Sequence, residues 1–113
     1  MITIYHNPRC SKSRDGVLLL EESGKKFQKV LYLENQLTIQ ELTDIISKLN
    51  IPPIELVRKN EAIWKETYKD KNLSDKEIIH IMVENPKLIE RPIVVNGNLA
   101  VIGRPLQKIK EII

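Results

Sequence analysis

A chain of 113 residues suffices for one hydrophobic core and is too short for two independent ones. Hydrophobic residues at 42% and charged residues at 29% fit a water-soluble globule, and a net charge of +3 without a basic run leaves no electrostatic footprint for nucleic acid. No apolar stretch approaches membrane-spanning length, and the opening Met1-Ile2-Thr3-Ile4 lacks a secretion pattern. The one cysteine cannot close an internal disulfide, which fits a reducing cytoplasm and means that any redox cycle must borrow a second thiol. One cysteine and two separated histidines form no metal-ligand cluster, so no metal is expected. Nothing in the chain demands more than a monomer.

In chain order, Ile2-Thr3-Ile4-Tyr5 alternates as a short strand, and Asn7-Pro8 turns it. A helix follows from about Ser11 to Ser23, with Cys10, Ser13, Val17 and Leu20 along one side and Gly24 as its stop. Phe27 to Leu33 reads as a second strand. Strand, helix, strand predicts a parallel pair joined by a right-handed crossover.

Thr38-Ile39-Gln40-Glu41 is a capping box, and Ile39, Leu42, Ile45, Ile46 and Leu49 keep helical spacing up to Asn50. A short helix after Pro53 carries Ile54, Val57 and Arg58, and Trp64 and Tyr68, four apart, read as a core anchor. A second capping box, Ser74 to Glu77, opens a helix with Ile78, Ile81 and Met82 inward, ended by Asn85-Pro86. His80 on that helix reads as a surface residue without a partner. Residues 38 to 90 thus form a helical block between two pieces of sheet.

Pro92-Ile93-Val94-Val95 and Asn98-Leu99-Ala100-Val101-Ile102 flank Asn96-Gly97, which predicts a hairpin with a type I′ turn at those two residues. Gly103-Arg104-Pro105 leads to a final helix with proline at its first position and Leu106, Ile109, Ile112 and Ile113 inward. The fold class is α/β, βαβ then a helical block then ββα, as a single domain.

Chemistry concentrates in Ile4-Tyr5-His6-Asn7-Pro8-Arg9-Cys10-Ser11-Lys12-Ser13-Arg14, which puts the only cysteine at a helix N-terminus. Unpaired N–H groups and the positive end of the helix dipole favour an anion there, a thiolate or a bound oxyanion. A lone cysteine is otherwise most often a small buried hydrophobe. Arginine usage sharpens the choice. Only Arg9, Arg14, Arg58, Arg91 and Arg104 stand against 13 lysines, and arginine alone offers the planar fork that holds oxyanions bidentately. In a βαβ…ββα layout Arg91 and Arg104 can reach the edge where Cys10 lies, while Arg58 would come from the helical block. Ser11 and Ser13 could add hydroxyl hydrogen bonds, and His6 could tune the thiolate or orient the loop.

His6-Asn7-Pro8-Arg9-Cys10-Ser11-Lys12-Ser13-Arg14, with Arg58, Arg91-Pro92 and Gly103-Arg104-Pro105, resembles the arsenate reductases of the ArsC family over essentially the whole chain. The resemblance implies a thioredoxin-like fold with a mixed four-stranded sheet, a helical insertion at about 38–90 and a cis bond before Pro92. It implies Cys10 as nucleophile with His6 near it, and Arg58, Arg91 and Arg104 as the arginines that bind arsenate or a similar oxyanion; Ser13, from its place beside the sulfur, is expected as a further ligand of that oxyanion. Glutathione would be a co-substrate and glutaredoxin the partner that completes reduction to arsenite, with no bound cofactor. Ser11 and Lys12 stand where members commonly have glycine and threonine, and Lys12 adds positive charge at the site.

Two other readings compete. Cys10-Ser11-Lys12-Ser13 has the Cys-x-x-Ser form of a monothiol site, as in a general glutathione-dependent thiol oxidoreductase. Spx-type regulators share the fold and bind RNA polymerase, but they usually carry a Cys-x-x-Cys switch, whose second sulfur Ser13 removes.

Overall fold

A computed structural model describes all of residues 1–113. The chain divides into two compact units, Met1–Asn35 with Arg91–Ile113, and Gln36–Glu90.

The first unit is built on a mixed four-stranded sheet, as expected. Strands β1 (Ile2–Tyr5), β2 (Phe27–Val30), β3 (Ile93–Asn96) and β4 (Leu99–Ile102) lie in the order β2-β1-β3-β4. β1 and β2 are parallel, with Ile2 opposite Phe27, whereas β1–β3 and β3–β4 are antiparallel. Alternation along β1 buries Ile2 and Ile4, which join Val94, Leu20 of helix α1 (Ser11–Glu22) and Ile109 of α4 (Gln107–Lys110) in one apolar cluster. Gly24, at φ +72°, takes the left-handed conformation that closes α1.

Three local expectations are corrected here. β2 stops at Val30, because Leu31 turns the chain: its carbonyl accepts the N–H groups of Glu34 and Asn35 at 3.0 and 2.9 Å. In the hairpin, Asn96 pairs with Leu99, so the two-residue loop is Gly97-Asn98 rather than Asn96-Gly97. Gly97 alone of the pair has positive φ, +62°, which is the requirement of a type II′ turn rather than I′. The regular part of the last helix begins at Gln107, so Pro105 precedes it instead of occupying its first position.

In the second unit both capping boxes are formed. Thr38 Oγ1 accepts from Glu41 N–H at 3.0 Å at the start of α2 (Ile39–Leu49), and Ser74 Oγ from Glu77 N–H at 3.2 Å at the start of α3 (Asp75–Glu84). α2 buries Leu42, Ile45 and Ile46 but leaves Ile39 exposed; α3 buries Ile78, Ile79, Met82 and Val83, with Ile81 only half-buried. Residues Pro53–Leu56 form one tight 3-10 turn, and Val57 then bridges to Ile89 in a short antiparallel pairing. Trp64 is buried with its ring 5.9 Å from that of Tyr68. His80, expected to stand alone, meets Glu84 at 2.9 Å one turn on.

Candidate active site

The sheet register brings the site together. β1 runs antiparallel to β3 with Tyr5 opposite Ile93, so the segment leaving β1 lies beside the residues entering β3. Ile93 in turn pairs with Ile102, so Arg91 and Arg104 sit just outside the open end of the hairpin, away from its turn. The Arg91–Pro92 bond is cis, as the resemblance implied, and so is Arg104–Pro105. Arg104 Nε donates to the Arg91 carbonyl at 2.7 Å, which fixes the plane of its guanidinium; its Nη2 then lies 3.6 Å from Cys10 Sγ.

Cys10 is delivered by a closed turn. Its N–H donates to the Asn7 carbonyl at 3.0 Å, and the Asn7 side-chain oxygen accepts from Arg9 N–H at 3.1 Å, the local bond that makes asparagine a turn residue. Cys10 itself is the N-cap of α1, in extended conformation, and its carbonyl accepts the Arg14 N–H at 3.0 Å. No acidic side chain stands in the first turn, so nothing competes with the sulfur for its N–H groups.

Burial pushes the half-buried Cys10 thiol up, but the Ser13 N–H, the Arg91 guanidinium acting by hydrogen bond and by charge, and the Lys12 N–H together hold it below its ordinary value. The outcome is a sulfur biased toward thiolate, the nucleophilic form.

Ser13 differs from its expected place as an oxyanion ligand. Its side chain has no exposed surface; Oγ is 2.6 Å from His6 Nδ1 and accepts the Asn7 N–H at 3.0 Å. The hydroxyl is occupied inside the loop, and the backbone N–H of Ser13 is what serves the sulfur. His6 is also buried, and its N–H donates to the Val30 carbonyl at 2.9 Å. Burial, then the charges of Lys29 and Arg14, lower its pKa from the ordinary histidine value, which favours the neutral ring. Of the two roles open to His6, this geometry serves the orientation of the loop.

Arg58 lies within the Gln36–Glu90 unit, where its N–H donates to the Leu88 carbonyl at 2.7 Å and its Nη1 pairs with Glu61 at 3.2 Å. Two further loop residues hold the turn itself. Asn7 is buried and carries both ends of the turn, and Arg14 Nη1 ties back to the Pro8 carbonyl at 2.9 Å. The Asn-Pro pair signalled the first as a turn residue; the second was singled out as a scarce arginine, but its guanidinium is tied to the loop backbone.

A mixed sheet flanked by helices, with a cysteine at the N-terminus of the helix after β1 and an arginine on the sulfur from beyond the hairpin, defines a thioredoxin-like protein with a single cysteine at that position. Residues 5–112 match the model of the ArsC family, and the chain belongs to that family. It is 46% identical to the uncharacterized protein YfgD of Escherichia coli (strain K12) over 99% of this chain and 96% of that one. It is 41% identical to an arsenate reductase of Haemophilus influenzae, over 99% and 98% of the two chains. Among solved structures, an arsenate reductase from Vibrio cholerae superposes with a TM-score of 0.94 at 41% identity, covering 99% of this chain and 97% of that one.

Proposed function

We propose that this protein reduces arsenate to arsenite, with Cys10 as nucleophile and external thiols as the source of electrons. The observation that carries the reading is the Arg104 guanidinium, locked by the Arg91 carbonyl at 2.7 Å and set 3.6 Å from a sulfur already biased toward thiolate. A guanidinium held there meets the oxygens of an incoming tetrahedral anion at the point where sulfur attacks. Relatives that carry the arsenate reductase name at about two-fifths identity along the whole chain support the choice of anion. Arg58 enters this reading through the family pattern alone.

The Cys10 thiolate forms a sulfur–arsenic bond, and a protonated arsenate oxygen leaves as water. Glutathione adds its sulfur to the same arsenic, and a second water leaves. A glutaredoxin thiolate then attacks the glutathione sulfur; the bond between that sulfur and arsenic breaks, its electron pair stays on arsenic and reduces arsenic(V) to arsenic(III), and the glutaredoxin–glutathione mixed disulfide departs while Cys10 still holds the arsenic. Water finally displaces Cys10 from the arsenic, which releases arsenite and restores the thiol. The chain's single cysteine makes an external thiol necessary at each turnover.

The test is NADPH consumption in a mixture of arsenate, glutathione, glutaredoxin and glutathione reductase. Wild type should consume NADPH in an arsenate-dependent manner and Cys10→Ser should not. Equal rates for the two proteins would overturn the proposal.

A further inference from the structure

A cavity of about 540 Å³ lies in the Gln36–Glu90 unit and is lined by residues of that unit alone. It collects side chains whose exposure contradicts their pattern. Helical spacing turns Ile39 of α2 and Ile81 of α3 toward the interior, yet Ile39 is 46% exposed and Ile81 half-buried, and both line this space together with Leu73 and Tyr68. Leu73, Glu77 and Ile81 follow one another at intervals of four, so one face of α3, extended by the residue that leads into it, forms a wall. Apolar side chains gathered around an open concavity mark a binding surface, and this volume suits a small molecule.

Tyr68 reaches the cavity from an uncommon turn. Trp64–Tyr68 is π-helical, with the Lys69 N–H donating to the Trp64 carbonyl at 2.9 Å, a conformation found mostly as single turns and frequently at functional sites. Buried Trp64 anchors the turn with its ring 5.9 Å from that of Tyr68, and the Lys71 ammonium stands over the Tyr68 ring at 5.7 Å. The aromatic ring is therefore already partnered, and the apolar surface left to a ligand is the aliphatic one of Ile39, Leu73 and Ile81.

The charges around this floor leave one sign unmatched. Glu77, the one carboxylate of the lining, accepts the Ser74 N–H at 3.0 Å in the capping box, and Glu84 is taken by His80 at 2.9 Å. Lys71 and Lys76, both of the lining, belong to neither ion pair of the protein. An aliphatic floor with two ammonium groups at its margin complements an aliphatic chain that ends in a carboxylate.

We propose that this groove binds a medium-chain fatty carboxylate, its chain against Ile39, Leu73 and Ile81 and its carboxylate met by Lys71 and Lys76. The site uses neither Cys10 nor arsenate, so the inference stands apart from the reductase reading.

The experiment titrates the isotope-labelled full chain with decanoate below its micellar concentration and follows amide chemical shifts. Decyltrimethylammonium supplies the same chain with the opposite charge, and butyrate the carboxylate with little chain. We expect saturable decanoate shifts centred on Ile39, Tyr68, Leu73 and residues 76–81, with butyrate at least about ten-fold weaker. Lys71→Gln and Lys76→Gln should each raise the decanoate Kd about two- to five-fold, the effect of losing one exposed ion pair. Ile39→Gln, at a position exposed enough to leave the fold intact, should raise it about five-fold.

Decyltrimethylammonium that binds this face as tightly as decanoate would reduce the groove to a general apolar surface. Decanoate shifts confined to residues 6–14 would place the anion at the thiolate alone, and groove shifts that grow with protein concentration in the absence of decanoate would assign the face to a second copy of the chain. Each of these results overturns the proposal, as does the lack of saturable binding or a Kd that none of the three substitutions changes.

Discussion

Replacing Ser13 by alanine separates two roles that its sequence position allows. The residue has no exposed surface, and its hydroxyl serves two buried partners, the Asn7 N–H at 3.0 Å and the His6 ring at 2.6 Å. Alanine fits the space but satisfies neither. A buried polar group stranded this way costs about 1–3 kcal/mol, so two partners, one of them a ring with some freedom to adjust, cost about 2–4 kcal/mol. Against a typical domain stability of about 5–15 kcal/mol that is a large loss, easily read as a lower urea midpoint with an unchanged m-value. The sulfur should be much less affected, because its partner at this residue is the backbone N–H, which alanine keeps. The pH midpoint of Cys10 alkylation by iodoacetamide should therefore stay near that of wild type under conditions where the variant is fully folded. Unfolding within about 0.5 kcal/mol of wild type, together with a raised KM for arsenate, would refute this assignment and return the hydroxyl to the substrate.

Two other substitutions probe neighbouring parts of the same architecture. Arg91→Lys keeps a positive charge but loses the guanidinium fork. It should lower kcat/KM for arsenate by about ten-fold or more while moving the urea midpoint little, and unchanged turnover would take Arg91 out of the site. Because the Arg91 hydrogen bond and charge both lower the Cys10 pKa, the alkylation midpoint should move to higher pH in Arg91→Ala, with slower alkylation at pH 7; a midpoint that stays or falls contradicts that cause. Gly103→Ala tests the packing beneath the hairpin exit. A Cβ there would lie 2.9 Å from Ile109 Cδ1 and 3.0 Å from Pro92 Cγ, so the core must shift at a cost of about 1–3 kcal/mol, visible in urea unfolding. Full stability would mean that Ile109 swings away without loss.

What could be read of the fold without coordinates depended on how local its cause is. The capping boxes at Thr38 and Ser74 are closed within four residues, and both formed where the sequence placed them. The hairpin also has a local signal, but its register does not. Asn96-Gly97 favours a loop with positive φ at both residues, whereas the long-range pairing of Val94 and Val95 with β4 and β1 draws Asn96 into the ladder and moves the loop on by one. The same limit explains β2. Leu31, Tyr32 and Leu33 have strand-forming side chains, yet Tyr32 is buried in a turn, because burial rather than strand pairing is what that apolar run supplies.

The site shows a related division between residue type and direction. Cys10, Arg91 and Arg104 could be picked out because each is scarce and stands at a turn or strand boundary, and the register then brought them together. Ser13 was legible in position and misread in direction. It occupies the same helical phase as Gly16 and Leu20, the other buried residues of α1, so periodicity alone already turned it away from solvent. A hydroxyl on the packed face of a helix must find partners nearby, and the groups within reach were those of the loop that leads to Cys10. Its burial thus ties the turn that carries Cys10 to the body of α1.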